Sequence, residues 1–411
     1  MNASVSEADA SLEPTRSGSR IVVNDYAGHP FQIQLSNELT RRGDAVTHAY
    51  CVTNVTPHGR LDQESGGPSI TGISTGSGFE KYSIGRRLIA EIRYGLTSAR
   101  LLRSSRADVC LNSNVPIASL AIITLTARLL RIRNVLWLQD FQAGLVALSV
   151  GERHPAARIA RRLERWCVRR ADHVVAISDG FEREVRSLGA ADRVTTIPNW
   201  APIDELPVVA KDSSWSVERD LDQRVVFLYS GTLGLKHRPE ALIALARRLQ
   251  EVAPEALVLV VSESAGVDWI ESQRTDEEPL SNVRILPFQP FEALPAVLGA
   301  ADVLVALLEE EAGEFSVPSK VLTYLCAQRP VLGLMPAENA ASQLVVNDAR
   351  AGLVACDVDS FLDDGERFAV DPQLRSDMGH RARRYAESTF AIERIAQQFL
   401  DVLIAEDRSD T

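Results

Sequence analysis

Cysteine is scarce and poorly placed for chemistry. Cys51, Cys110, Cys167, Cys326 and Cys356 are odd in number, far apart and free of CxxC spacing. That pattern disfavours a disulfide framework and a cysteine zinc site, and it suits a reducing cytoplasm. Long apolar runs are missing too. The longest, Val115 to Leu130, contains Arg128 and is shorter than the ~20 residues a bilayer requires, so it reads as a buried helix. No GxGxxG follows the first strand-like run, which disfavours a dinucleotide-binding dehydrogenase, and the P-loop pattern GxxxxGK[ST] is absent. No repeat at a solenoid period is visible. The opening twenty residues are polar and lack an apolar stretch, the composition of a disordered tail rather than of a signal peptide.

What is present is enough apolar material for two cores, 45% of 411 residues. Short β-branched runs, "RIVVN", "VVAIS", "VVFLYS", "ALVLVVS", "DVLVALL" and "RPVLGL", alternate with longer segments of helical period. Runs without polar alternation are strands covered on both faces, so the pattern predicts parallel sheets in two doubly wound α/β domains. The expected organisation is a tail over 1–19, a first domain over 20–205, a proline- and charge-rich linker over 206–223 and a second domain over 224–390. An apolar-faced helix over 391–411 would then pack back on the first domain. In open sheets of this kind ligands sit beyond the carboxyl ends of the strands, so a cleft between the two sheets is the expected site.

Charge is distributed unevenly. The net charge is −11, yet residues up to Glu205 sum to +4 and the remainder to −15. Arginines concentrate between Lys81 and Arg106 and between Arg153 and Arg170. Two readings stand: solvated helix faces, or docking to anionic lipid headgroups or a phosphorylated acceptor. An acidic chain without a recognisable binding module is not expected to hold nucleic acid.

Polar residues at strand ends supply the candidate chemistry. Gly28 and His29 follow the first strand; the glycine permits close backbone approach before a helix from about Phe31 to Arg42, and the histidine either hydrogen-bonds a sugar or merely caps and packs. Gln139, Asp140 and Gln142 follow "NVLWL", where Asp140 either orients a substrate hydroxyl or caps a helix. No second carboxylate stands near it to form a double-displacement pair. In "YSGTLGLKH", Gly231 and Gly234 would free backbone N–H groups for phosphate oxygens and Lys236 would add charge. Glu263 and Phe288 fall in two further strand-end turns, Phe288 either lying along a base or belonging to the core. In "EEEAGEFSVPSK", Ser316, Ser319 and Lys320 precede or open a helix, whose unpaired N–H groups favour an anion. They would complete a diphosphate site begun at Gly231. No ligand cluster suggests a metal.

The ordered series "DYAGHPFQIQLSNELTRRG", "WLQDF", "AISDGF", "IPNW", "YSGTLGLKH" and "SVPSKVLTYLCAQRPVLG" resembles the retaining glycosyltransferases of family 4, from Arg20 to about Glu406. The closest flavour is the branch building bacterial exopolysaccharide, capsule or O-antigen units. The resemblance implies two Rossmann-like domains facing across a cleft, the GT-B arrangement. It also implies a nucleotide-sugar donor on the second domain and a glycan or lipid-linked acceptor on the first; with the arginine clusters, the expectation is a cytoplasmic enzyme in peripheral contact with an anionic inner membrane surface. By resemblance Gly28, Gly231, Thr232, Glu263, Phe288, Ser316, Ser319, Lys320 and Thr323 bind the donor. His29, Asp140, Lys236, Glu311 and Glu314 serve catalysis, and Gln142 serves the acceptor. No cofactor is implied. Many members carry two glutamates seven residues apart; here Thr323 occupies the second place, the first falls among Glu311, Gly313, Glu314 and Phe315, and Gln328 replaces the usual glycine before "RPV". These departures keep open a non-catalytic partner subunit of the same fold and, further off, a sugar-nucleotide epimerase.

Overall fold

A computed structural model describes residues 18–53, 66–76, 84–275, 280–308 and 319–405. The first domain runs β1 (Arg20–Asp25), α1 (Pro30–Arg41), β2 (Ala45–Cys51), β3 (Ser69–Ile73), α2 (Ile84–Ser104), β4 (Val109–Ser113), α3 (Ile117–Leu130), β5 (Arg133–Leu138), α4 (Gln142–Val150), α5 (Pro155–Arg170), β6 (His173–Ala176), α6 (Asp179–Leu188) and β7 (Val194–Thr196). After a connection holding the single-turn α7 (Ser214–Val217), the second runs β8 (Val226–Ser230), α8 (Glu240–Val252), β9 (Leu257–Val261), α9 (Ala265–Ser272), β10 (Val283–Leu286), α10 (Leu294–Gly299), β11 (Val303–Leu307), α11 (Ser319–Cys326), β12 (Val331–Leu334), α12 (Ala340–Gln343), β13 (Gly352–Ala355), α13 (Val358–Val370), α14 (Pro372–Thr389) and α15 (Ile392–Leu403).

Every strand pair is parallel. The orders are β3-β2-β1-β4-β5-β6-β7 and β10-β9-β8-β11-β12-β13. Both sheets are doubly wound Rossmann-like units, as the uninterrupted apolar runs predicted: β4, β9, β11 and β12 are buried along their whole length. In each sheet the winding reverses between adjacent strands, β1 and β4 in the first, β8 and β11 in the second. Loops leaving two such strands diverge and open a crevice. The sequence-level sites Gly28–His29 and Gly231–Lys236 leave β1 and β8, one strand of each pair.

Local signals place the helices. Pro30 opens α1 behind an extended His29. Ser178 caps α6 by accepting the Phe181 N–H, and Gly189 ends it in the left-handed region. Asp357 and Asp371 cap α13 and α14.

The connection is packed: Leu206 and Leu221 are buried, and Arg329 donates to the carbonyls of Val209, Gly299 and Ala301. α15 lies on α1 and β5, with Arg42 donating to Gln397 and to the Glu393 carbonyl, and Arg133 to that of Val402. Phe399 there meets Trp137 at 4.7 Å between ring centroids, and Trp137 stacks on Trp200 at 5.5 Å. Phe31 joins them edge-on at 5.6 and 5.4 Å. This aromatic cluster explains "HPF", "WLQDF" and "IPNW" physically, since all three meet beneath the β1–α1 turn. Removing Phe399 would cost about 3–5 kcal/mol by opening a cavity there.

Two expectations change. α3 is not buried all round: its inner face is covered, but Leu125, Leu129 and Leu130 face outward. Ser19, placed in the tail from sequence, donates its N–H to Asp44.

Candidate active site

The second-domain site is built on β8. Tyr229 is fully buried and donates its hydroxyl to the Thr232 carbonyl at 2.8 Å, which folds the following loop back over the strand end. Gly231 has φ +125°, a region that side chains with a Cβ rarely adopt. Tyr324 of α11 clamps the same strand end: its hydroxyl accepts from the Ser230 N–H at 3.0 Å and donates to the Ser230 carbonyl at 3.1 Å. The clamp seats the start of α11 against the β8–α8 loop, so Lys320 and Gly231, 89 positions apart in sequence, become neighbours. A Cβ added at Gly231 would stand 3.4 Å from the Lys320 ammonium.

That ammonium is the electrostatic centre. Although Lys320 as a residue keeps partial exposure, its Nζ donates to Tyr229 Oη at 2.6 Å and lies 3.9 Å over the Tyr229 ring. Among the described residues no ion pair compensates it, and burial lowers its pKa from 10.5 to about 7. Burial also raises the Tyr229 and Tyr324 hydroxyls, which stay neutral donors. Of the 44 cationic residues only Lys81, Lys211, Lys236 and Lys320 are lysines. A compact ammonium fits between a tyrosine ring and a glycine where a planar guanidinium would not.

One expectation is corrected here. The Gly231 N–H donates to Val261 O at 3.0 Å and the Gly234 N–H to His237 Nδ1 at 3.0 Å, so neither is free for phosphate. The Leu233 N–H is also engaged, by Ser264 Oγ at 3.0 Å. The bonds to Val261 and Ser264 staple the loop to the β9–α9 turn, where Gly266 approaches so closely that an added Cβ would lie 2.3 Å from Leu233 O. The glycine at 231 serves the turn and the room for Lys320. Exposed Thr232 stands at the loop's tip.

Lys236 lies in the short 3-10 turn Leu235–His237, and Ser319 opens α11. Thr323 follows Lys320 by three positions, on the same helix face. Glu311, Glu314 and Ser316 lie outside the described residues. Glu263 is exposed and lines a cavity of about 450 Å³ with Ser262, Ser264 and Pro287. Next to Pro287, Phe288 is 45% exposed, which sets aside its reading as a core residue. Gln328 has φ +57°, the conformation that favours glycine and accounts for the residue more usual there.

In the first domain, the Gly28 N–H donates to Asp25 Oδ1 at 2.9 Å, and Gly28 has φ +75°. His29 stacks on Phe31 at 5.4 Å, and its carbonyl accepts from the N–H groups of Gln32 and Ile33. Its side chain makes no capping bond to the helix. The buried Asp25 faces His48 at 3.6 Å, and His48 in turn meets Ser36 at 2.8 Å, a strand-to-helix chain that stiffens this turn.

Asp140 follows β5, open to solvent, yet the protein around its carboxyl raises its pKa through desolvation. It does not cap α4. Glu164 of α5 does so, accepting the Ala143 N–H at 3.1 Å, with its pKa raised by burial. Gln139 turns inward to Ser113 and Asn114, while Gln142 begins α4 beside Asp140. Glu164, Tyr229 and Tyr324 escaped sequence reading: the first sits in an arginine run and both tyrosines sit in apolar ones. A further cavity of about 330 Å³ lies between the domains, bordered by Ser178, Arg183 and Asn199 from one and Glu338, Gln343 and Tyr385 from the other.

Two facing Rossmann-like domains with polar loops at both switch points define a GT-B transferase architecture. Residues 33–200 match the Glycosyl transferase 4-like domain, and residues 212–385 match Glycosyl transferases group 1. The chain is 26% identical over 67% of its length to WcaI of Escherichia coli (strain K12), named a colanic acid biosynthesis glycosyl transferase, of which the match covers 69%. It is 25% identical over 59% of its length to WbjE of Pseudomonas aeruginosa, named a glycosyltransferase, of which 61% is covered. Anabaena Alr3699/HepE, solved in complex with UDP and glucose, superposes with a TM-score of 0.68 at 14% identity, over 94% of this chain and 99% of that one. Sucrose-phosphate synthase from Thermosynechococcus elongatus gives 0.69 at 17%, over 93% and 97%. The chain belongs to the family 4-type glycosyltransferases and is a glycosyl-transferring enzyme.

Proposed function

We propose that the second domain holds a nucleoside-diphosphate sugar and that the enzyme passes the sugar, with retention, to a glycan or lipid-linked acceptor on the first domain, in building a cell-surface polysaccharide. The relative named for colanic acid biosynthesis and the UDP-bound neighbours support this reading. The observation that carries it is the enclosed ammonium of Lys320 beside Gly231, which no ion pair compensates among the described residues. Such a cation is costly unless a bound anion completes it.

In this reading the diphosphate lies against Lys320, Thr232, Lys236 and the start of α11. Ser316, Ser319 and Thr323 extend the contact, and Glu263 and Phe288 border the base. As the glycosidic bond breaks, negative charge grows on the leaving diphosphate, where the fixed cation and helix N–H groups stabilise it. The diphosphate then helps take the proton of the acceptor hydroxyl attacking on the same face. His29 and Asp140, with Gln142, orient acceptor and sugar across the cleft; Glu311 and Glu314 are the carboxylates assigned beside the donor. Work at an anionic cytoplasmic membrane surface belongs to the same reading.

The test is thermal stabilisation by UDP, GDP, ADP and dTDP, since a ligand at about 100 times its Kd adds ~2.7 kcal/mol. Stabilisation by one diphosphate with little from its nucleoside is expected. No response to any of the four refutes the donor site. Conversion of the sugar nucleotide to a second one without acceptor would instead indicate an epimerase.

A further inference from the structure

The helices α2, α3 and α5 form one layer on the first sheet, α2 packing on α3 and α3 on α5. Together they carry twelve arginines, every one exposed, and only two carboxylates. Both carboxylates are buried: Glu91 is held by Arg87 at 3.0 Å, and Glu164 caps α4. The outer face of this layer therefore shows solvent no negative charge of its own. It is also unusually apolar. Of the fifteen most exposed large apolar side chains among the described residues, eight lie on these three helices. Leu88, Ile92 and Leu96 recur at four-residue spacing along α2, and Leu129 on α3 is 74% exposed. Among the described residues no helix is long and apolar enough to cross a membrane.

We infer that this face is where the enzyme lies on an anionic lipid bilayer, with the leucines and isoleucines in the headgroup boundary and the arginines on lipid phosphates. This rests on the reading of a membrane-surface glycosyltransferase and gives it a location and an orientation. The interleaving decides between anionic partners: a soluble polyanion gains nothing from Leu129 or Ile92, whereas a bilayer rewards both charge and apolar surface. Orientation follows from topology. α2 joins the carboxyl end of β3 to the amino end of β4, so it begins at the cleft rim, and Leu88 and Ile92 lie in its first turns. An acceptor anchored in the bilayer would reach the cleft from that rim without leaving the interface.

The experiment is sedimentation of the full chain with vesicles of equimolar phosphatidylglycerol and phosphatidylcholine, against phosphatidylcholine alone, at low and high salt. Melting temperature and UDP binding are followed on the same preparations. The variants are Leu88→Ser with Ile92→Ser, Arg158→Gln with Arg162→Gln, and, as a control, Val370→Ser, a still more exposed apolar position in the second domain. Binding only to the anionic vesicles, weakened by salt, is expected, with the arginine pair costing about thirtyfold in partitioning. The apolar pair should cost at least about tenfold. Val370→Ser should be neutral, and UDP binding unchanged in all three. The two pairs sit on different helices, so a folding defect in one leaves the other as the test. Equal binding to both vesicle types, unchanged binding by the folded variants, or binding to heparin but not to vesicles overturns the assignment. Failure of the unmodified chain to bind any of UDP, GDP, ADP and dTDP, with vesicle binding intact, would strike the donor reading and leave the docking face standing.

Discussion

Replacing Lys320 by methionine tests the donor site most directly, because the lysine's protonation has a calculable effect on ligand binding. With a pKa of about 7, the ammonium is half protonated at pH 7 and about 3% protonated at pH 8.5. If a diphosphate binds only the protonated form, the apparent Kd equals the intrinsic value divided by that fraction, so it should rise about sixteenfold between those pH values. The terminal phosphate of a nucleoside diphosphate, with its second pKa near 6, is already about 90% ionised at pH 7 and adds less than about 1.2-fold, in the opposite sense. Lys320→Met should bind about ten- to a hundredfold more weakly at pH 7, the worth of one charged hydrogen bond, and show no pH slope. Stability moves in the opposite sense. Between pH 7 and 10.5 the unfolded chain holds this proton and the folded chain does not, so the unliganded enzyme gains up to about 1.4 kcal/mol per pH unit relative to the methionine variant. Below pH 7 both states are protonated and the burial penalty is felt in full. Calorimetric titration with UDP, or whichever diphosphate stabilises the protein, supplies the Kd values. A wild-type Kd that changes less than threefold across the window, or an equal slope in Lys320→Met, would falsify the assignment.

Gly231→Ala should lose about 1–2 kcal/mol from its φ of +125° and weaken diphosphate binding by crowding the ammonium, as read by urea unfolding and titration; a fully stable variant with unchanged affinity would count against this geometry. His29→Ala and Asp140→Asn should each slow turnover by about a hundredfold while sparing affinity for the free nucleotide. Joint loss of stability and nucleotide binding would instead mark them as structural. Gln328→Gly, at φ +57°, should raise stability by about 0.5–1 kcal/mol without altering turnover, and a destabilised variant would show that the glutamine side chain has a use of its own.

Much of the site was legible one strand at a time. Polar residues after apolar runs marked the loops of Gly28, Asp140, Gly231, Glu263 and Phe288, because parallel strands deliver their carboxyl ends to a single edge. The backbone roles were harder to read. Gly231 and Gly234 looked like phosphate-facing N–H donors, but their hydrogens go to Val261 and His237, partners no local pattern announces. Likewise Asp140 looked able to cap α4, yet the cap arrives from Glu164 on the next helix, whose arginine-rich neighbourhood reads as surface.

The sequence by itself determined the elements, their parallel pairing and their division into two sheets, since burial on both faces and helical period are properties of contiguous residues. It also determined the asymmetry of charge. Only the tertiary structure decided that Lys320 would lose its water against Tyr229 and Gly231, and that the Tyr324 hydroxyl would hold α11 in place to make it so. It decided as well that the twelve exposed arginines and a row of leucines would lie on one helix layer while the two glutamates of those helices turned inward. Desolvation and surface field depend on which atoms surround a charge in space, and neighbours 89 positions away cannot be read from the chain around it.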